Sequence, residues 1–382
     1  MCAKFNPRIA IAVLLLGYIG TMAAINVWTK DRSFSDSENR VLAQRPTLSA
    51  NTLLNGRFTR EYASYTADQF ALREGWIGIK TDTDRLVGKK ESNGVFLGKE
   101  GFLLERYESP AENDMQRRAE ALQRFDEAVP RARKHVLIAP TAASLLANKL
   151  PPFAPVGDQR ADLNRFYELL PESVNPVDVR NALIEGSEGE DLFYRTDHHW
   201  TTDAAYSAYR ELIGSMGFAP QSEEAFEIRE AGEDFYGSLA SKSGFRRLRP
   251  DVVKLYIPKR EARMTVRYAE EGLTVHSLYA EERLADKDKY AVFLNGNHPR
   301  ISIETEGPEQ KSLLIVKDSF ANSLIPFLTG HFSRIDVIDL RYYDEPLAEL
   351  ARERNYEDVL FLYNAKTFFE DSSILNITEG IQ

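Results

Sequence analysis

Thr196-Asp197-His198-His199-Trp200-Thr201-Thr202 sets a carboxylate, two imidazoles and an indole in four consecutive positions. Imidazole is the side chain best suited to moving protons near neutral pH. The chain has six histidines, so a third of them fall in this one stretch. His199 can act as a base, and Asp197 can hold its ring and stabilise the imidazolium, because Asp-x-His lets both side chains reach one site from a single loop. A base needs a nucleophile. Ser319, in Asp318-Ser319-Phe320, follows the apolar run 312–316 and precedes a predicted helix over 321–328. A serine there projects from the carboxyl edge of a sheet, where open α/β folds bind ligands. The amino end of the helix behind it favours an oxyanion. Asn364 closes a further apolar run, 359–363. Its amide reaches the same edge and can donate to an oxyanion.

Each of these residues also has an ordinary structural reading. Ser319 can be the N-cap of its helix. His199 can be a hydrogen-bonded turn histidine, Asp197 a cap and Asn364 a turn residue. His198 is read as support, aimed away from His199 by the alternation of an extended segment, and Trp200 as packing beneath the loop. Convergence of Ser319, His199 and Asn364 on one edge favours the chemical reading. A metal site on Asp197, His198 and His199 is the rival, but the further Asp/His clusters of metal phosphoesterases are not found. No cysteine follows the histidine pair, and the only cysteine is Cys2. That excludes an intrachain disulfide and a Cys-based metal site or nucleophile in the body of the chain.

The elements that must position these groups alternate between helix and apolar strand, which indicates an α/β layer architecture. A charged helix over 111–133 leads to the strand 136–139. A helix near 162–170 and an extended piece around Val177 follow. Residues 204–216 form a helix capped by Thr201 or Thr202 and closed by Gly217. Strands 312–316, 335–340 and 358–363 alternate with helices 321–328 and 345–354. Residues 95–104 read as a hairpin. Residues 57–86 read as a helix whose Phe58, Tyr62, Tyr65, Phe70 and Trp76 form a core stripe. Residues 232–310 are richer in polar turns, include strand-like pieces at 253–257 and 290–294, and read as a β-rich insertion lobe or lid. Its Arg246-Arg247-Leu248-Arg249 cluster reads as a solvated face.

The amino end has a different character. Ile9 to Trp28 is twenty residues without a charge, the length of a helix that crosses the hydrocarbon core. We expect residues 1–29 to be a transmembrane signal anchor that exports the rest, with a cleaved signal peptide as the alternative. Lys4, Arg8, Lys30 and Arg32 flank it evenly, so charge alone does not orient it. Residues 30–382 are expected to form the catalytic domain. The formal net charge of −10 and the absence of a long basic run argue against a nucleic-acid binder. A carbohydrate substrate is compatible with that balance.

Thr196–Thr201, the Val-Lys-Asp-Ser-Phe-Ala-Asn-Ser stretch at 316–323 and Val-Leu-Phe-Leu-Tyr-Asn at 359–364 together resemble the bacterial DHHW proteins. Ala139-Pro140-Thr141, Lys149-Leu150-Pro151 and Phe235-Tyr236-Gly237-Ser238 extend the resemblance across nearly everything after the apolar segment. Through that family the chain resembles the alginate acetylation proteins AlgJ and AlgX and the SGNH (GDSL-like) hydrolases. The resemblance implies a flavodoxin-like three-layer α/β/α sandwich. It implies a triad of Ser319 as nucleophile, His199 as base and Asp197 as its partner, with the oxyanion held by Asn364 and the Ser319 amide. It implies acyl transfer to, or ester cleavage on, a cell-surface polysaccharide, no cofactor and no metal, and a multi-span membrane partner that delivers the acyl group. A non-catalytic polysaccharide-binding or assembly protein on the same fold is the alternative. Two departures stand out. Lys317 replaces the glycine that GDSL-type enzymes have two residues before the serine, and no counterpart of their oxyanion glycine is evident. The turn Leu340-Arg341-Tyr342 is the place to look for it. No carbohydrate-binding module is expected in the eighteen residues after Asn364.

Overall fold

The computed structural model describes residues 7–35, 40–186, 191–260, 263–306 and 311–381. Cys2 and Lys4 lie outside them. The chain divides into two compact units, residues 1–89 with 244–246, and residues 90–243 with 247–382.

In the first unit, helix α1 (Pro7–Trp28) is the one helix among the described residues long and apolar enough to cross a membrane, and none of its residues is buried. The expected helix over 57–86 is two helices, α2 (Arg57–Asp68) and α3 (Arg73–Leu86). Side chains at the break bond to backbone instead of allowing the helix to run on. Asp68 accepts from the Ala43 N–H at 2.8 Å, Gln69 bonds the backbone of Arg32 and Ala43, and Leu72 has φ +59°. The expected aromatic core stripe is not a core. Tyr62, Phe70 and Trp76 are exposed, while α3 is buried at the small residues Gly78 and Thr81. The Arg246–Arg249 cluster is largely exposed, with the Arg246 guanidinium lying over Gly78.

The second unit is built on an eight-stranded sheet. Its strands in chain order are β1 (Arg133–Ala139), β2 (Val174–Pro176), β5 (Met264–Tyr268), β6 (Leu273–Val275), β7 (Arg300–Thr305), β8 (Ser312–Lys317), β9 (Arg334–Ile338) and β10 (Asp358–Asn364). A separate antiparallel pair, β3 (Phe226–Phe235) and β4 (Asp251–Pro258), falls between β2 and β5. The sheet order is β6-β5-β7-β9-β8-β10-β1-β2. From β9 to β2 every pairing is parallel, and β5, β6 and β7 add an antiparallel edge.

The sandwich follows from strand alternation. Leu313, Ile315, Leu360, Leu362, Leu137 and Ala139 face one core with Trp200 and helix α6 (Thr202–Ser215). Leu314, Val316, Val359, Phe361, Val136 and Ile138 face the other. There they meet α4 (Glu112–Ala128), α5 (Gln159–Glu168), α7 (Leu347–Arg354) and α8 (Ala365–Glu370). The expected α/β/α architecture is therefore the one observed. The 232–310 segment is β-rich as expected, but its strands β5, β6 and β7 extend the principal sheet instead of standing apart as a lobe. The expected strand at 290–294 is a 3₁₀ turn over Lys289–Val292.

Chain order around β8 decides where a site can form. From β8 the chain goes to β9 on one side, then returns across to β10 on the other. The carboxyl ends of β8 and β10 are the switch point of the sheet, where open α/β folds form their ligand crevice. Ser319 is two residues past the end of β8, and Asn364 ends β10.

Candidate active site

Asp197, His199 and Ser319 meet at this switch point. His199 Nε2 is 2.7 Å from Ser319 Oγ, and His199 Nδ1 is 2.5 Å from Asp197 Oδ1. Asp197 and His199 are buried and Ser319 is half-buried. With Nδ1–H donated to the carboxylate, the neutral ring turns the lone pair of Nε2 toward the serine hydroxyl. Burial lowers the His199 pKa to about 4, the charge of His198 adds to that, and Asp197 opposes it. The imidazole is thus neutral near pH 7 and free to accept the serine proton. Burial alone would raise the Asp197 carboxyl. The charges of His199 and His198 and the hydrogen bonds from His199 and Ser238 instead hold it well below the usual carboxylate range.

The loop is fixed from several sides. Asp251, at the start of β4, accepts the backbone N–H groups of Arg195 and Thr196 at 2.7 and 2.8 Å and the Thr196 hydroxyl at 2.5 Å. Thr201 caps α6 by accepting from the Ala204 N–H. The second oxygen of Asp197 accepts from the Ser238 N–H at 2.7 Å. Gly237 is required for that approach, since a Cβ there would lie 2.2 Å from the Cβ of Asp197. Trp200 is fully buried beneath the nucleophile turn and donates Nε1–H to Phe320 O at 3.0 Å and to Ser323 Oγ at 3.1 Å. His198 is not aimed away from His199. The two rings are 3.9 Å apart, and His198 Nδ1 lies 2.6 Å from Ser238 Oγ. The loop curves instead of alternating, because the Asp197 carboxylate also draws in the His199 N–H at 2.9 Å.

The nucleophile turn has its own clamps. Asp318 accepts from the Phe320 N–H and the Asn364 N–H, both at 2.9 Å, and so ties the end of β8 to the end of β10. Tyr290 stacks flat on the His199 ring, 3.7 Å between centroids and 8° between planes. Its hydroxyl donates to Ser319 O at 3.1 Å. The expected helix after Ser319 is a 3₁₀ turn over Ser319–Ser323 followed by Ile325–Leu328, with Pro326 interrupting the N–H ladder. So short an element supplies little of the helix dipole expected at the oxyanion. Asn364 stands at the expected edge, but its Oδ1 caps α8 by accepting from the Lys366 N–H at 3.0 Å, and Nδ2 donates to Ala139 O at 3.4 Å. One N–H of its amide is left for a ligand.

Asp197, His198 and His199 place ligand atoms within 4.8 Å of one another, close enough to hold a metal ion. The donor set is already committed. Both ring nitrogens of His199, Nδ1 of His198 and both oxygens of Asp197 are in hydrogen bonds. The arrangement fits proton transfer to and from Ser319. The roles of Tyr290, Asp318, Gly237 and Asp251 escaped the sequence reading. Gly237 and Asp318 carried a signal, within Phe-Tyr-Gly-Ser and Val-Lys-Asp-Ser. Tyr290 was hidden in a segment that reads as strand.

Solved structures of other proteins superpose on this chain to different extents. A DHHW family protein from Eubacterium siraeum superposes with a TM-score of 0.66 at 24% identity, covering 75% of this chain and 95% of that one. Bacillus cereus PatB1, in a structure with a sulfonyl adduct, gives 0.63 at 21% identity, covering 74% and 97%. The O-acetyltransferase domain of Pseudomonas putida AlgJ gives 0.48 at 15%, covering 73% and 93%. No curated protein sequence matches the chain. The family model described as DHHW protein matches residues 136–338 of the 382, and the chain belongs to that family.

Proposed function

We propose that this protein is a membrane-anchored, extracytoplasmic serine acyltransferase or esterase that acts on a cell-surface polysaccharide. The observation that carries the chemistry is the 2.7 Å approach of His199 Nε2 to Ser319 Oγ, with Asp197 behind the ring. Ser319 Oγ attacks an acyl carbonyl as its proton passes to Nε2, and the imidazolium returns that proton to the departing oxygen. The acceptor hydroxyl then repeats the sequence in reverse. Asn364 and the Ser319 N–H are the oxyanion donors in this reading. His198 and Trp200 support the loop. α1 is the signal anchor, and export of the chain that follows it places the site outside the cytoplasm. The polysaccharide and a multi-span partner that supplies the acyl group rest on the resemblance of the motifs to the alginate acetylation proteins.

The test is intact mass spectrometry of the full chain in detergent after brief exposure to p-nitrophenyl acetate. We expect an acetyl adduct on Ser319 that is absent from Ser319→Ala and His199→Ala, both folded by circular dichroism. Removal of either triad member costs roughly 10⁴–10⁶ in rate. Acetylation of Ser319→Ala at the wild-type rate, or a folded wild-type chain that takes up no acetyl group, would overturn the proposal in favour of a binding protein on the same fold.

A further inference from the structure

Arg341 is a partly exposed charged group near the nucleophile turn that the triad does not use. It lies three residues past the end of β9, the strand next to β8. Its Nε and Nη2 grip the fully buried carboxylate of Asp339 at 2.8 and 2.6 Å. The same carboxylate receives Nζ of Lys317, also fully buried, at 3.3 Å. Lys317 further donates to Asn297 Oδ1 at 2.7 Å. The guanidinium is thereby fixed by one buried carboxylate, itself held from β8 by Lys317, while a quarter of the side chain stays open. Its remaining nitrogen, Nη1, has no partner among the described residues.

The backbone of the same turn is turned inward. The Arg341 N–H goes to Asp339 Oδ1 at 3.2 Å, so it is not offered to a ligand. The Asn364 side-chain amide on the other side of β8 gives one of its two N–H groups to Ala139 O. The element after Ser319 is too short to act through its dipole. A negative charge forming beside Ser319 therefore meets few neutral donors and two fixed cations, of which Lys317 is fully buried and spent on Asp339 and Asn297 and only Arg341 stays partly open. The Arg341 charge reaches both sides of the nucleophile. After burial and His198 it is a further cause lowering His199, and it opposes the burial that raises Asp318.

We propose that Arg341 is the charged donor of the oxyanion hole, with Nη1 hydrogen-bonded to the acyl oxygen as it becomes an oxyanion. This rests on the acyl-transfer reading above. In the step, Ser319 Oγ bonds to the acyl carbon, its proton moves to His199 Nε2, and the carbonyl π pair moves onto the oxygen facing Arg341. Collapse restores the carbonyl and expels the alkoxide, which takes the proton from His199. A preorganised cation in a partly desolvated site acts on the transition state and leaves ground-state binding almost unchanged.

The test compares the full-length wild type with Arg341→Met and Arg341→Lys in detergent, following release of p-nitrophenol and acetylation of Ser319. Lys317 remains to pair Asp339 in both variants, and thermal denaturation checks folding. We expect Arg341→Met to acetylate Ser319 about 10²–10³-fold more slowly at saturating ester, with KM changed by less than about threefold. Arg341→Lys keeps the charge without the fork and should fall between. Acetylation of Arg341→Met at the wild-type rate would overturn the inference and leave the triad intact. Unchanged acetylation with lost transfer to an acidic oligosaccharide only would also overturn it, marking Arg341 as a reader of acceptor charge. A wild-type chain that does not acetylate at all would remove the acyl-transfer reading itself.

Discussion

Two histidine–aspartate pairs stand at opposite edges of one sheet. At the carboxyl edge, Asp197 holds His199 Nδ1 and leaves Nε2 on the hydroxyl of Ser319. At the amino edge, Asp358 holds His135 Nε2 at 3.0 Å, and His135 Nδ1 lies 3.1 Å from the Asn175 amide. Asp358 also takes Nη2 of Arg133 at 2.8 Å. Both dyads are buried. The first spends one ring nitrogen on structure and offers the other to a nucleophile. The second spends both on structure, joining β1, β2 and β10. A buried dyad becomes chemical only where topology brings it a hydroxyl, and the switch point of the sheet does that once.

The sharpest way to break this comparison is to neutralise each aspartate. Asp197→Asn should lower kcat/KM for p-nitrophenyl acetate by about 10³–10⁴, because an amide no longer fixes the Nδ1–H tautomer or stabilises the imidazolium. Asp358→Asn should leave kcat/KM within about threefold while destabilising the fold by roughly 1–3 kcal/mol, the cost of weakening buried charge-assisted hydrogen bonds. Ester kinetics beside urea unfolding of the two variants checks both. Equal losses of activity would erase the distinction between the edges.

Much of the carboxyl edge was legible in the sequence, and the reason is local. Asp197, His198, His199 and Trp200 are consecutive, and Ser319 and Asn364 each close an apolar run that could only be a buried strand. The chain order of the three strands then brought them together without further information. What stayed hidden depends on distant parts of the chain. Asp251 reaches the loop across fifty-five residues and Tyr290 the nucleophile across twenty-nine. The curve of the loop that stacks His198 on His199 is set by hydrogen bonds to one carboxylate, against the alternation expected of extended chain. The first unit misled for a different reason. Aromatics at helical spacing read as a core, but α3 is buried through Gly78 and Thr81 and leaves Trp76 outside.

Trp200 tests how far the support beneath the site matters to the chemistry above it. Trp200→Phe keeps an aromatic ring in the core but removes the donor to Phe320 O and Ser323 Oγ and leaves a small void. Stability should fall by about 2–4 kcal/mol. Turnover should fall about tenfold, since the turn carrying Ser319 loses its fixed height against His199. Calorimetry beside ester turnover measures both. A loss of stability with turnover untouched would show that Tyr290 and Asp318 fix the nucleophile on their own.

His198 sharpens the same contrast from the side of charge. His135 meets Asp358, which also holds Arg133, and Asn175, whereas His199 meets Asp197 and His198, feels the charge of Arg341 and has Tyr290 stacked on its ring. Burial and the His198 charge set the His199 pKa at about 4, below the value near 6.5 of an unfolded histidine. Between these values the unfolded chain binds a proton that the folded chain refuses. Stability from this group is therefore complete above about 6.5 and is lost as pH falls through the window toward 4. Activity needs the neutral imidazole, so the acid limb of kcat/KM should lie near the lower value. His198→Gln removes the neighbouring charge and keeps a polar partner for Ser238. The acid limb should then move up toward 6.5, with turnover near pH 7 almost unchanged, and the stability loss on acidification should become smaller. A pH–rate profile of His198→Gln reads this directly. An acid limb that stays in place would assign the depression of His199 to burial and Arg341 alone.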